Sequence, residues 1–266
     1  MTIQDLMNLK ERRALITGAA GYIGTAMAET LAELGADLIL VDRPETDFTS
    51  LTASLSARWG VRTWYHYCDL EQNDQRLKLI ETIQKQHEKL NILINNAAFV
   101  GESDLQGWGT PFEGQTIETW RRALEVNLTA PFHLCQALAP LLEKSTGSNI
   151  TNIGSIYGEY GPDWRLYDET SMANPAAYGA AKGGLLQFTR WLSTTLAPNI
   201  RVNAISPGGV FRNQPDIFVK KYEARTPLAR MATENDFRGV IAYLASDMSS
   251  YVTGQVFSVD GGWGVW

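Results

Sequence analysis

Tyr178 and Lys182 stand four positions apart in the run Tyr-Gly-Ala-Ala-Lys, at the opening of a segment with helical period. Residues at i and i+4 share one helix face, so this spacing brings a phenol beside an ammonium. A neighbouring cation favours phenolate and draws a tyrosine from its ordinary pKa of about 10 toward neutrality, as a general acid/base requires. Exposed helices also carry such pairs without doing chemistry, so Tyr178 and Lys182 mean something only in company.

Part of that company lies near the start of the chain. Ala14-Leu-Ile-Thr-Gly-Ala-Ala-Gly-Tyr-Ile-Gly24 reads as a strand, a glycine-rich turn and a helix. Backbone N–H groups and the helix dipole can meet a pyrophosphate there, and a Cβ on the glycines would block close approach. The spacing Gly18, Gly21, Gly24 differs from the usual dinucleotide fingerprint, and an ordinary tight turn is the alternative. Asp42 ends the next strand, where a carboxylate accepts hydrogen bonds from ribose hydroxyls and repels a 2′-phosphate, which favours NAD. Arg43 follows it and suits the extra phosphate, so NADP stays open.

The elements that must position these groups alternate. Strands are predicted at Ala14–Thr17, Leu38–Val41, Val61–Tyr67, Ile92–Asn95, Asn149–Ile153, Arg201–Ile205 and Gln255–Val259. Helices are predicted at Tyr22–Leu34, Phe48–Trp59, Gln72–Glu88, Ile117–Leu142, Ala177–Leu196 and Glu234–Ser246. Such βα repetition predicts one α/β domain over residues 1–266: a Rossmann-type, doubly wound, parallel seven-stranded sheet with helices on both faces. Ligands in that architecture lie outside the carboxyl ends of the strands, and polar residues fall there: Thr17, Asp42, Asp69, Asn95-Asn96, Ser155 and Pro207-Gly208. Irregular stretches near 99–115, 156–175 and 208–233 follow strand ends and are expected to form the substrate rim.

Hydrophobic residues make up 44% and charged residues 20%, as in a folded globular chain rather than a disordered one. The net charge of -6 supplies no basic field, which argues against nucleic acid and for a small-molecule partner. Cys68 and Cys135 lack metal-ligand spacing and read as buried thiols, so no metal is expected. The polar N-terminus and the want of a long apolar run predict no membrane span and a cytoplasmic protein.

Over almost its whole length the chain resembles the short-chain dehydrogenase/reductase family, classical-type. The resemblance rests on Thr17-Gly-Ala-Ala-Gly-Tyr-Ile-Gly24, Asp69-Leu70, Asn95-Asn-Ala-Ala98, Val126-Asn127, Ile153-Gly-Ser155, Tyr178-x-x-x-Lys182, Pro207-Gly208 and the tail Thr253-Gly-Gln-x-x-x-Val-Asp-Gly-Gly262. It implies that Ser155 holds the substrate oxygen, Tyr178 moves the proton, Lys182 binds the nicotinamide ribose and Asn127 supports a water relay. Hydroxyls of Ser155 and Tyr178 suit a carbonyl oxygen that gains alkoxide character as hydride arrives. The implied reaction interconverts a secondary alcohol and a ketone. The implied cofactor contacts are Gly18, Ala20, Gly21, Tyr22, Ile23, Asp42, Asp69, Leu70, Asn95, Ala97, Tyr178, Lys182, Pro207, Gly208 and Val210. Asp69 could instead cap the helix near Asn73, and Asn95 could serve only to tie strands together. The resemblance also implies a homotetramer, built on the two long helices and the C-terminal segment.

Three departures stand out. Tyr22 occupies the family's middle glycine position, and Ala98 replaces a glycine, which is tolerated where φ is negative. Ser155 and Tyr178 are separated by an insert carrying Tyr157, Tyr160, Trp164, Arg165, Tyr167 and Asp168. With Trp108 and the 209–215 loop, that insert is similar to short-chain dehydrogenases of bacterial surface-sugar and flagellin-modification pathways, and Arg165, Arg212 or Arg225 could meet a phosphate. The aromatics could equally tie the loop to the protein body. Trp263 and Trp266 at the end of the chain are expected to bury against a partner or to close a neighbouring site. The competing functions are a turnover-dead nucleotide sensor or scaffold and an epimerase or dehydratase that retains NAD.

Overall fold

The computed structural model describes residues 1–100 and 105–266. Strands β1 (Arg13–Thr17), β2 (Asp37–Asp42), β3 (Thr63–Tyr67), β4 (Ile92–Asn95), β5 (Ser148–Ile153), β6 (Ile200–Pro207) and β7 (Val256–Val259) form one sheet in the order β3-β2-β1-β4-β5-β6-β7. Every pairing is parallel. The predicted α/β, doubly wound architecture is therefore the observed one.

Helices cover both faces because the central strands are apolar on both. Ala14 and Ile16 of β1, Leu38 and Leu40 of β2, and Ile92 and Ile94 of β4 enter one core, with Met27 and Leu31 of α2 (Tyr22–Glu33) and Ile241 of α9 (Arg238–Ala245). Leu15, Ile39, Val41 and Leu93 point the other way, toward Ile83 of α4 (Asn73–Gln86) and Leu138 of α6 (Ala130–Leu142). This two-residue alternation into opposite cores is the signature of a buried parallel sheet. Each such fully buried aliphatic side chain contributes about 1.5–3 kcal/mol. Edge strand β3 has only partly buried or exposed residues.

The remaining helices are α1 (Ile3–Met7), α3 (Thr49–Trp59), α5 (Ile117–Leu124), α7 (Ala176–Leu196) and α8 (Asp216–Arg225). Three corrections to the sequence reading arise here. The single helix expected over Ile117–Leu142 is interrupted by a π turn at Glu125–Thr129, which adds a residue without spoiling the apolar period on either side. The 208–233 stretch is not wholly irregular, for it contains α8, whose Phe218 and Tyr222 are buried. The helix expected from Glu234 opens as a 3-10 turn, Glu234–Phe237, before α9 begins. Short α1, closed by a Thr2–Asp5 capping box, was not anticipated. No helix among the described residues is long and apolar enough to cross a membrane.

Candidate active site

The carboxyl ends of β1, β2, β4, β5 and β6 lie along one edge of the sheet, and the candidate residues gather there. Gly18 leaves β1 with φ of +62°, a left-handed conformation that favours glycine. A Cβ there would come within 2.8 Å of the Ala97 Cα, and a Cβ on Gly24 within 2.0 Å of the Gly18 carbonyl oxygen. The turn closes on itself and on the β4 exit too tightly for any side chain. Thr17 Oγ1 accepts the N–H groups of Asn96 and Ala97, each at 3.1 Å. Asn96 Nδ2 donates back to the carbonyls of Thr17 and Gly18. Asn96 is thus a brace of the turn that the sequence reading left out of its site, although it stands in the Asn95-Asn96 pair.

At the start of α2 the Tyr22, Ile23 and Gly24 amides meet no backbone acceptor among the described residues, and the N-cap, Gly21, supplies no side-chain bond. Those amides and the positive end of a twelve-residue helix suit an anionic pyrophosphate. Asp42 Oδ2 accepts the Ala20 N–H at 2.9 Å, which places the carboxylate beside the same turn. Arg43 turns away to pair with Glu45 at 2.9 Å. The ring of Tyr22 lies under the Arg212 guanidinium, 4.1 Å from ring centroid to Cζ, and bridges the glycine turn to the 208–233 segment. These features fit a dinucleotide.

Other cofactor candidates are placed less directly. Asn95 is buried with its Nδ2 donating to Asn152 Oδ1 at 2.8 Å, so its side chain ties β4 to β5 and does not face a cofactor. Leu70 is likewise packed into the second core. Asp69 does not cap α4, whose N-cap is Gln72; its Oδ1 instead accepts the Glu71 N–H. Ala98 avoids positive φ, as a non-glycine residue there requires. Pro207 ends β6, and the N–H of Gly208, which follows it, donates to Val259 of β7. Val210 forms a bridge with Ala232, and its carbonyl accepts Gln214 Nε2 at 2.9 Å.

Ser155, Tyr178 and Lys182 come together beyond β5. Ser155 Oγ accepts the Tyr157 N–H at 3.2 Å, leaving its own proton free to donate. Lys182, 2% exposed, donates to the Ile153 carbonyl at 2.7 Å and lies 5.8 Å from the Tyr178 ring centroid. Burial lowers the Lys182 pKa to about 8. Burial also raises the Tyr178 phenol above its ordinary value, against the opposing effect of the Ser155 hydroxyl beside it. The expectation that Lys182 draws Tyr178 downward is therefore corrected: desolvation of the phenolate outweighs everything nearby.

Asn127 sits, fully buried, in the π turn. Its Oδ1 accepts the Phe99 N–H at 2.6 Å and its Nδ2 donates to the Phe99 carbonyl at 3.1 Å, so the side chain is spent on clamping the β4 exit. Pro131, four residues on, has no N–H to offer the Asn127 carbonyl.

The 156–175 insert packs against α8 and the C-terminal segment. Tyr157 and Tyr167 pack with Phe218, Tyr222 and Trp263 in a separate aromatic cluster. Trp263 is 1% exposed within its own chain, which corrects the expectation that it needs a partner. Trp266 is 69% exposed. The three arginines considered for a phosphate have carboxylate partners: Arg165 and Arg225 share Asp163, and Arg212 pairs with Glu234 at 2.7 Å. Of the 99–115 loop, residues 101–104 lie outside the described residues. Trp108 in that loop is buried and stacks edge-on with Phe99. No group of three metal-ligating side chains occurs among the described residues.

Comparison with known proteins places this arrangement in company. A family profile described as enoyl-(acyl carrier protein) reductase matches residues 18–264. The chain is 31% identical over 263 residues to the 3-oxoacyl-[acyl-carrier-protein] reductase of Thermotoga maritima, covering 96% of this chain and 99% of that one. It is similar to the crystal structure of a short-chain dehydrogenase from Leptospira borgpetersenii with bound NAD+, with a TM-score of 0.83, 32% identity and coverage of 99% and 96%. It is also similar to an NAD+-bound xylitol dehydrogenase, with a TM-score of 0.83, 28% identity and coverage of 96% and 99%.

Proposed function

The chain belongs to the short-chain dehydrogenase/reductase family and is an NAD(P)-dependent oxidoreductase acting on CH–OH groups, and from that premise we propose that it uses NAD and works through Ser155, Tyr178, Lys182 and Asn127. The observation that carries the proposal is the convergence of Ser155, Tyr178 and Lys182 beside a glycine turn built to take a pyrophosphate.

Bound there, the nicotinamide cofactor supplies or takes up the hydride and, when oxidised, brings a positive charge. Gly18, Ala20, Gly21, Tyr22 and Ile23 would hold the pyrophosphate end, Asp42 the adenosine ribose, and Asp69, Leu70, Asn95, Ala97, Pro207, Gly208 and Val210 would line the rest of the site. Ser155 donates its hydroxyl proton to the substrate oxygen and orients it. In the reductive direction Tyr178, which burial keeps protonated, gives its proton to the nascent alkoxide. In the oxidative direction Tyr178 acts as phenolate, stabilised by the Lys182 ammonium, and receives the proton of the alcohol. The Asn127 carbonyl orders a water through which Tyr178 regains its proton. The sensor or scaffold alternative needs none of these groups, and all of them are in place.

The half-buried Asp42 carboxylate at the end of β2 carries the preference for NAD. Asp42→Asn keeps an acceptor for the Ala20 amide but removes the charge facing a 2′-phosphate. The NAD/NADP ratio of kcat/KM is expected to fall about tenfold to a hundredfold, about 1.4–2.8 kcal/mol, in parallel initial-rate assays. An unchanged ratio would remove Asp42 as the determinant.

For the substrate, a sugar or polyol remains the preferred reading, supported by the hydroxyl-bearing insert over the site, while a sugar phosphate loses its grip because the three arginines are already paired. We place the protein in the cytoplasm as a homotetramer. The exposed Phe132 of α6 and Trp191 of α7 lie on the helices that would pair, and light scattering returning a monomer would contradict that assembly.

A further inference from the structure

Two side chains that the proposed reaction does not use meet at the cofactor site. Tyr22, which stands where the family has a glycine, opens α2 with an exposed ring. The Arg212 guanidinium lies over that ring, 4.1 Å from its centroid, and its Nη1 pairs with Glu234 Oε1 at 2.7 Å. Glu234 is itself firmly seated, because the 3-10 turn that it opens buries Phe237 in the core shared with α2. An exposed tyrosine gains little from burial, so its ring serves here as a platform for the planar cation.

The contact joins two walls that the sheet keeps apart. Tyr22 follows β1 and Arg212 follows β6, with β4 and β5 between those strands. On the β1 side are the α2 amides that suit a pyrophosphate, and beyond them, at the end of β2, Asp42 is placed for the adenosine ribose. The nicotinamide half then extends the other way along the sheet edge, toward Ser155 after β5 and the loop after β6. That loop is stiff within itself. The Phe211 N–H donates to the Ala232 carbonyl at 3.0 Å, and the Ala232 N–H to the Gly209 carbonyl at 2.9 Å. The Gln214 side chain bonds both the Val210 carbonyl and the Arg212 N–H. Stacking one side chain of such a unit on Tyr22 therefore sets the position of the whole unit. With Glu234 neutralising its charge, Arg212 acts through the plane of its guanidinium rather than as a free cation.

We propose that Arg212, stacked on Tyr22 and held by Glu234, is a positioning residue for the cofactor: it fixes the loop carrying Gly208 and Val210 against the pyrophosphate turn, so that the wall for the nicotinamide half is ordered before the cofactor arrives. Ordering a wall in advance raises affinity by removing that cost from the binding step. The inference rests on the cofactor reading of the site.

The test is calorimetric titration with NAD and with ADP-ribose, which has the pyrophosphate but no nicotinamide ring, in the wild type, Tyr22→Leu, Arg212→Gln, the double variant and Tyr22→Phe. Each of Tyr22→Leu and Arg212→Gln is expected to raise the Kd for NAD about threefold to thirtyfold, the range of a partly exposed cation–π contact, and to leave ADP-ribose within about twofold. The double variant loses no more than the weaker single variant, because both remove the same contact. Tyr22→Phe, which keeps the ring, stays within about twofold of the wild type. Trypsin is expected to cut the cofactor-free Tyr22→Leu protein after Arg212 about tenfold faster than the wild type, which reads the loop without any ligand. Unchanged NAD affinity in either single variant, losses that multiply in the double variant, or equal trypsin cleavage would overturn the proposal. Equal losses on NAD and ADP-ribose would overturn it too, by showing that Arg212 acts on the pyrophosphate itself. A wild type that binds neither ligand would instead overturn the cofactor reading and this inference with it.

Discussion

Tyr178→Phe is expected to lower kcat by about a thousandfold while leaving NAD binding within about twofold. The substitution removes one oxygen and keeps the ring that Lys182 faces at 5.8 Å, so the local packing survives. General acid/base catalysis contributes typically ~100-fold to ~10,000-fold, and here the phenol is the proton donor to the forming alkoxide. Ser155 retains its free proton but cannot replace the phenol, because its Oγ is fixed as acceptor for the Tyr157 N–H and has no cation beside it to stabilise a negative charge. Steady-state rates together with calorimetric titration of NAD separate the two effects. A variant with kcat within fivefold of wild type would remove Tyr178 from the proton step.

Gly24→Ala is expected to weaken NAD binding by at least a hundredfold and to lower Tm by about 5 °C. The added methyl would stand 2.0 Å from the Gly18 carbonyl oxygen and 2.9 Å from Asn96 Nδ2, so backbone must move. Overpacking of this kind costs about 1–3 kcal/mol, and each 1 kcal/mol shifts Tm by about 2–4 °C in a chain of this size. The movement opens the turn that presents the α2 amides, so binding falls by more than stability alone implies. Calorimetry with NAD and a thermal melt test both halves. Wild-type affinity with an unchanged melt would show that the turn has room, contrary to its geometry.

Much of this architecture was legible in the sequence, and the reason is physical. The central strands are short aliphatic runs buried on both faces, and nothing else in a chain of this length needs such runs at regular intervals. Ser155, Tyr178, Lys182 and the glycine turn were legible because their chemistry demands particular residue types. What escaped was set by backbone geometry or by contacts distant in sequence. The π turn around Asn127 leaves the apolar period intact on both sides, so Ile117–Leu142 read as one helix. The brace formed by Asn96 depends on which of two adjacent asparagines faces the glycine turn, a matter of strand register. Helix α8 has few buried residues, so its period was too weak to register against the surrounding loop. The rise of the Tyr178 phenol above its ordinary pKa is a burial effect, and burial has no local sequence sign.

The roles of Trp263 and the insert show the same limit. Trp263 lies against Tyr157, Tyr222 and the Arg225 guanidinium, all remote in the chain, and reads from sequence only as a terminal aromatic in need of cover. The cover proved to be the insert and α8 of the same chain. The insert, the tail and α8 thus form one aromatic cluster.

The central claim, direct hydride transfer between a carbinol carbon and NAD at Tyr178, is tested most directly with xylitol deuterated at its carbinol carbons, by following the mass of the nicotinamide cofactor during turnover. The reduced cofactor is expected to be one mass unit heavier than with unlabelled xylitol, in the wild type and at a thousandfold lower rate in Tyr178→Phe. Reduced cofactor that carries no deuterium, or label uptake at equal rates in the two proteins, would contradict it.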